Sequence, residues 1–441
     1  MKNIAPIPQN SRGNLILGIT VLLLITAFAV GSFLRLAQSE MQFSHSSLYY
    51  NAALNLAEGG VERSIHQINS PNGFTGSEWT QKSGYWEGVF ENLDLPGARS
   101  AEIRIRVHDA DEEEPVVESQ GKIFVTDDRV IVRQIRANLA PLPIHSQGIV
   151  ALDRIRVSGN ASFFDSYKSS LGPYGEDNRG SEITFGSTSV ERDAVHVGHA
   201  TIFGYAATGA EAPYFGTHGQ VVTYDDPDNH NEDRVSTDFV AQFPQVEAPD
   251  STSALTAYPE AEGTDGNRTI TIGDSSGETV QHYKVEDFGI GGNVSTLRIV
   301  GPVILETTDE ISLTGNDRII LEGENASADV YAHGNLRFSG NSVANETHNP
   351  GNLRFFGMGG ESQIIDVGGT AGFYAIVYAP EALVNLRGNS EAFGSVVARE
   401  IEINGGHFFH WDEDSATIDE SDLRRLSSYE ELTQRVYRVS F

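Results

Sequence analysis

The chain contains no cysteine and only three methionines. That removes a disulfide framework, thiolate zinc and cysteine nucleophiles from consideration. Basic residues are scarce, 30 against 61 acidic ones, and the formal net charge is −31. Such a field repels phosphate, so nucleic acid is excluded as a partner. Long apolar runs are also lacking, with one exception at the N-terminus. No P-loop, dinucleotide fingerprint, Gly-x-Ser-x-Gly elbow or His-Glu-x-x-His is present, so a cofactor enzyme is not expected. What is abundant is glycine, 45 residues in 441, and short apolar alternations, which together point to a mainly β, turn-dense fold. A chain of this length holds two or three folded units.

The exception runs uncharged from Leu15 to Leu34. As a helix it is roughly 30 Å long, enough to cross a bilayer core. Lys2 and Arg12 precede it, which favours a cytoplasmic N-terminus with the bulk of the chain exported. Beyond it Leu54, Ala57, Val61, Ile65 and Ile68 continue at spacings of three and four, so one helix is expected over 14–70, broken at Ser70-Pro71-Asn72-Gly73. Gly59 and Gly60 are its weak points, each costing about 1 kcal/mol against alanine.

A small antiparallel β region follows over 71–140. Ile103, Ile105 and Val107 alternate with Arg104, Arg106 and His108, the pattern of a strand with one wet face. Further strands are predicted at Val116–Glu118, Lys122–Thr126 and Arg129–Ala137. The acidic run Asp109–Pro115 reads as a solvated loop, and two prolines in Asn138–Gly148 mark a boundary.

Over 148–415 a turn device repeats: Val157-Ser-Gly-Asn, Leu313-Thr-Gly-Asn, Phe338-Ser-Gly-Asn, Leu386-Arg-Gly-Asn and Ile403-Asn-Gly-Gly. Gly and Asn tolerate the positive φ of tight turns. Rungs of a β-solenoid recur roughly every twenty-odd residues, so a right-handed parallel β-helix is the expected fold, with a β-sandwich as the alternative. The region 163–294 carries no role legible in the sequence, and 242–266 reads as an extended insertion on the solenoid surface. The segment 416–441, with Leu423, Leu426, Leu432 and Val436 at helical spacing, is expected to be a C-terminal helix or cap.

Two groups of residues are candidates for chemistry. His407, His410, Asp412, Glu413 and Asp414 cluster in "HFFHWDED"; Asp225, Asp226, Asp228, His230 and Asp233 cluster in "YDDPDNHNED". A polysaccharide-cleaving β-helix needs such acid and base groups in one groove. A structural reading, with the first group capping a rung and the second forming a solvated turn, is preferred. The second group lacks the ligand spacing of a calcium loop, so no metal, cofactor or catalytic set is assigned.

Two resemblances add to this. The basic leader ending in Arg12-Gly13, the immediate apolar span and "NAALNLAEGGVERS" with its Ala57-Glu58 pair resemble the N-terminus of PilX-type minor pilins. The resemblance implies a leader over 1–13, cleavage between Gly13 and Asn14, residence as a single-pass protein of the inner membrane, and pilus or pseudopilus subunits as partners. Where major pilins begin with phenylalanine and have glutamate at the fifth mature position, this chain has Asn14 and Gly18; a plain, unprocessed anchor is the alternative. The second resemblance, over Tyr378–Asp414, is to a domain that follows PilX-type N-termini in uncharacterised surface proteins. It rests on Tyr378-Ala379-Pro380, Gly388-Asn389, Gly405-Gly406 and Phe409-His410-Trp411-Asp412. Together they imply a pilus-associated protein acting in assembly or adhesion on an extracellular surface or polymer. The alternatives are a membrane-anchored polysaccharide enzyme and a solenoid that polymerises end to end.

Overall fold

The computed structural model describes residues 12–432, apart from 71–72, 75, 111, 113, 127–128, 142–144, 242, 250–254, 265–266, 287, 291–293, 370–371 and 418–423. Most of the expected leader therefore lies outside the described residues. The chain forms two compact units: one from 1–142 with 422–441, the other from 143–421.

The first unit is built on the helix α1 (Arg12–Ile68), 57 residues long. Its stretch Ile16–Met41 has a mean hydropathy of 2.4 and none of it is buried. The Thr20 and Thr26 hydroxyls there donate back to the carbonyls of Ile16 and Leu22, which suits a surface surrounded by hydrocarbon.

The later half of α1 turns Ala53, Ala57, Gly60 and Ser64 inward, all buried. They meet an antiparallel sheet of β1 (Trp79–Lys82), β2 (Tyr85–Leu93), β3 (Ser100–His108), β4 (Val116–Thr126) and β5 (Arg129–Pro141), in that order. Ile103, Ile105 and Val107 point into this interface, as their alternation with arginine predicts.

Gly60, expected as a weak point of the helix, and Gly121, which falls between two expected strands, are places of close contact. A side chain at Gly60 would strike Ser119 and Ile103; one at Gly121 would strike the Ala53 carbonyl and the Ala57 amide. The two strands expected on either side of Gly121 are accordingly one continuous β4, thinned at that point to admit the helix backbone.

The C-terminal segment differs from expectation. Arg424–Glu431 is a strand, the sixth of this sheet, paired antiparallel with β5 from Arg424–Pro141 to Glu431–Ile135. Helical spacing of its leucines is outweighed by the free hydrogen-bonding edge that β5 offers, a ladder that an isolated short helix cannot match.

The second unit is a coil of parallel strands with three faces. One arm contains β6 (Ile149–Val157), β7 (Asn160–Tyr167), β8 (Ile183–Ser187), β9 (Val195–Ala207) and the short β10 (Tyr214–Phe215), β11 (Gln220–Val222) and β12 (Val235–Ser236). The other begins with the hairpin of β13 (Glu262–Thr264) and β14 (Asn267–Ile272), then β15 (Gln281–Val285). It continues through β16 (Val294–Ile299), β17 (Pro302–Thr307), β18 (Ile311–Leu313), β19 (Arg318–Leu321), β20 (Ser327–Ala332) and β21 (Leu336–Phe338). It ends with β22 (Val343–Asn345), β23 (Leu353–Gly357), β24 (Ile364–Gly368), β25 (Phe373–Arg387), β26 (Glu391–Asn404) and β27 (Phe408–Asp412).

Leu305 lies beside Val330, Val330 beside Phe355 and Phe355 beside Val377, all parallel. A step of about 22–25 residues, repeated in one direction, is a solenoid coil and excludes the antiparallel sandwich. Apolar residues from all of these strands except the exposed β13 fill one continuous interior.

The stacking order departs from the chain order. β26 pairs on its far side with β6, through Val396–Ile149 and Ile401–Ile155, and β27 pairs with β7, through Phe409–Phe164. One coil is therefore stitched from both ends of the unit, with β27 on one face and β6 on the other two. From it the first arm grows one way, to β12, and the second extends the other way, to β14.

Described residues between β12 and β13 lie along the outside of the coil, from Phe239 beside Gly186 to Tyr258. Phe243, Val246 and Ala248 cover an outward row of Tyr331, Phe356, Tyr378 and Val397. The Tyr378 hydroxyl donates to the Pro244 carbonyl at 2.8 Å, and farther along Tyr258 packs edge-on against Tyr283.

Candidate functional site

The clustered acids and histidines of "HFFHWDED" sit on β27 and the turn after it, in the stitched coil. Strand alternation buries Phe409 and Trp411 in the interior and sends His410 and Asp412 outward. Outward here still means covered: His410 and Asp412 are buried, and His407 is fully so.

The His410 Nδ1 lies 2.5 Å from Asp165 Oδ1, and its Nε2 lies 3.2 Å from Glu391 Oε1. Asp165, also fully buried, accepts from the hydroxyls of Tyr174 at 2.8 Å and Tyr224 at 2.5 Å. The Tyr174 ring lies over the His410 ring with centroids 3.8 Å apart. Burial by itself would lower the His410 pKa, but the hydrogen bonds and charges of Asp165 and Glu391 outweigh it and raise the value. Glu391 is held below the usual carboxylate range by its bond to His410, against the opposing effect of burial. Burial pushes both tyrosine hydroxyls up, reinforced by the Asp165 charge.

Next to it His407 is the opposite kind of histidine. Burial, with the neighbouring His410 charge, lowers it to about 4, and Nδ1 pairs with the Ser390 hydroxyl at 2.8 Å. Asp412 accepts from the Ser169 and Asp414 amides at 3.0 and 3.2 Å. Burial nevertheless raises its pKa on balance. Asp414 accepts from the Ser170 amide at 2.6 Å, and Glu413 from the Ser166 hydroxyl at 2.7 Å.

Four of these bonds, His410–Asp165, Ser169–Asp412, Ser170–Asp414 and Ser166–Glu413, join 165–170 to 410–414. The cluster is thus a clasp between the two arms. A general base needs a free ring nitrogen next to its substrate, and both nitrogens of His410 are occupied by carboxylates.

The other motif residues are distributed around the coil. Gly388 and Gly405 occupy turns at φ 91° and 107°, stacked so that a side chain on Gly405 would run into the Gly388 carbonyl. Asn389 accepts from the Gly406 amide at 3.0 Å. Pro380 sits at the bend of β25, where pairing with β26 is interrupted between Ala379 and Leu383. Asp226, Asp228 and Asp233 are exposed, while His230 Nδ1 accepts from the Val221 amide at 3.1 Å. Among the described residues no group of three or more His, Cys, Asp or Glu is placed to hold a metal ion. In the first unit Ala57 is buried against the sheet and Glu58 is exposed.

A site that the sequence did not reveal lies beside the clasp. At the corner after the strands β19, β22, β27 and β7, most coils carry loops, but β25 and β26 pass as continuous strands. A groove of about 1060 Å³ opens there, between the turns 323–324 and 346–352 on one side and 169–173 and 414–417 on the other. No local motif marks it, because its walls come from four loops far apart in sequence.

Residues 245–418 match the model of a family described as a domain of unknown function, DUF7305. The match takes in the outer segment before β13 and the second arm and ends just past the clasp, so the first arm lies outside it. No curated protein matches the chain. Among solved structures, the crystal structure of the competence-associated pilin ComZ from Thermus thermophilus is similar at a TM-score of 0.25 and 10% identity, over 87% of this chain and 96% of that one. Likeness of that degree leaves both fold and function to be argued from the residues themselves.

Proposed function

We propose that the chain is a membrane-anchored, exported protein of the PilX-like minor pilin type, acting in pilus assembly or adhesion. One observation carries this reading: a single helix whose first half is apolar and uncovered, and whose second half is fitted by Ala53, Ala57 and Gly60 to an antiparallel sheet. The uncovered half needs an apolar surrounding, which a bilayer provides first and other helices of the same kind provide in a filament. Its partners on this reading are the inner membrane and pilus or pseudopilus subunits, and the solenoid is the part displayed outside. The role is non-catalytic, consistent with the use of His407, His410 and Asp412 as structural groups.

The test is the mature N-terminus, determined by mass spectrometry on protein from membranes and from sheared surface material. A chain starting at Asn14 and present in the sheared fraction is the expected result. An intact Met1 confined to membranes refutes the pilin reading and leaves a static anchor.

A further inference from the structure

The acidic loop 225–234, which the clasp does not use, closes the far end of the first arm. We propose that it is a pH-operated latch, held shut by neutral His230 and released when His230 takes up a proton. The latch is a property of the solenoid alone and stands apart from the pilus reading.

Among the described residues β11 pairs with β9 alone, through Gln220–Thr201, Val221–Ile202 and Val222–Phe203. On its other side the loop takes the place of a further strand. The Val221 amide donates to His230 Nδ1 at 3.1 Å, and the Val221 carbonyl accepts from the Asn231 amide at 2.8 Å. Phe215 of β10 packs edge-on against the His230 ring, with centroids 4.8 Å apart. An unpaired edge is the part of a β fold most prone to pair with another chain, and the closed loop blunts this one.

The geometry fixes where the ring carries its proton. A backbone amide only donates, so Nδ1 must present a lone pair, and the single proton of the neutral ring sits on Nε2, 3.7 Å from Glu232 Oε1. A second proton goes to Nδ1, where it meets the Val221 N–H head-on. The bond is then lost. Val221 is fully buried, and a buried amide without an acceptor is costly, so the loop must lift to let water reach it. The strands against the ring bring no charge: β10 is Tyr214–Phe215 and β11 is Gln220–Val222. His218 stands in the turn between them, beside His199. The loop itself brings Asp225, Asp226, Asp228, Glu232 and Asp233, while its one guanidinium, Arg234, is engaged by the Ser181 carbonyl and Glu182. The released, charged ring therefore has carboxylates on its own loop to pair with.

The test is hydrogen exchange read by mass spectrometry on the full chain in detergent at pH 7.5 and 5.0, corrected for the intrinsic pH dependence of exchange. This interval spans the ordinary titration of an imidazole, so protection over 219–231 should fall about tenfold or more on acidification, while 391–404 in the stitched coil stays protected. His230→Asn keeps an acceptor at the place of Nδ1 but takes no charge, and should stay protected at both values. His230→Leu has no acceptor and should be unprotected at both. The latch is overturned by unchanged protection of the wild type at pH 5.0, by an equal acid loss in His230→Asn, or by protection retained in His230→Leu. Acid loss that spreads equally to 391–404 also overturns it, since general unfolding would then account for the change.

Discussion

Replacing Asp165 by alanine should open the solenoid at its stitched coil. Asp165 is fully buried and is the acceptor for His410 Nδ1 and for the hydroxyls of Tyr174 and Tyr224. Breaking a buried ion pair on one side costs about 3–5 kcal/mol. Two tyrosine hydroxyls losing their acceptor would add about 1 kcal/mol each, reduced because both rings are half-buried and can turn toward water. The expected loss is about 4–6 kcal/mol, and at about 2–4 °C per kcal/mol for a unit of this size the transition of the 143–421 unit should fall by about 10–20 °C. Calorimetry on the full chain reads this directly. The pH dependence provides an independent readout. The folded His410 pKa is raised, so its contribution is fully present below the unfolded value of about 6.5 and fades as pH rises through the folded value. The wild type should lose stability over that upward range, and Asp165→Ala should not. A fall of under about 3 °C, or an alkaline slope unchanged in the variant, refutes the clasp.

Three further outcomes are expected. Acidification from pH 7 to 5 should weaken the solenoid by about 2 kcal/mol for each of two buried histidines, because His407 at about 4 and His145 at about 3 stay neutral when folded while the unfolded chain takes up protons below about 6.5; a urea midpoint that does not move would contradict this. Gly405→Val should cost at least about 2 kcal/mol through its positive φ and the Gly388 carbonyl in its path, read as a lower solenoid transition, and an unchanged transition would show that the coils are not stacked at this turn. Gly121→Val should drive α1 off β4 and cost the first unit about 1–3 kcal/mol, read as a lower transition of that unit; an unchanged transition would refute the close approach of helix and strand at this glycine.

Local signals carried much of this fold. The uncharged span, the alternation at Ile103–Val107 and the Gly-Asn turns all report interactions within a few residues, and each occurs where its pattern places it. Gly60 and Gly121 were legible as glycines but not as contacts, since a break and a close approach leave the same letter in the sequence. The strand Arg424–Glu431 was hidden for a related reason: its conformation is set by the free edge of β5, nearly three hundred residues earlier. The stitched coil and the groove were beyond reach, because their partners, such as Asp165 and His410, meet only after every intervening coil has stacked. "HFFHWDED" did attract notice, but residue types that suit catalysis also suit a buried, fully bonded clasp.

The stitched coil also bears on how the molecule could have been assembled in evolution. The 143–421 unit interrupts the six-stranded sheet between β5 and its neighbour Arg424–Glu431, which pair antiparallel with Pro141 opposite Arg424. Those two residues are as near as the ends of a hairpin, so whatever occupies the interval must leave close to where it begins. A solenoid wound in chain order has its first and last strands at opposite ends of the stack. This one, wound outward from a shared coil, has β7 and β27 side by side, and the length of either arm can change without separating them. In chain order the solenoid occupies the interval between two paired strands, and its winding keeps its own first and last coils together whatever the length of either arm.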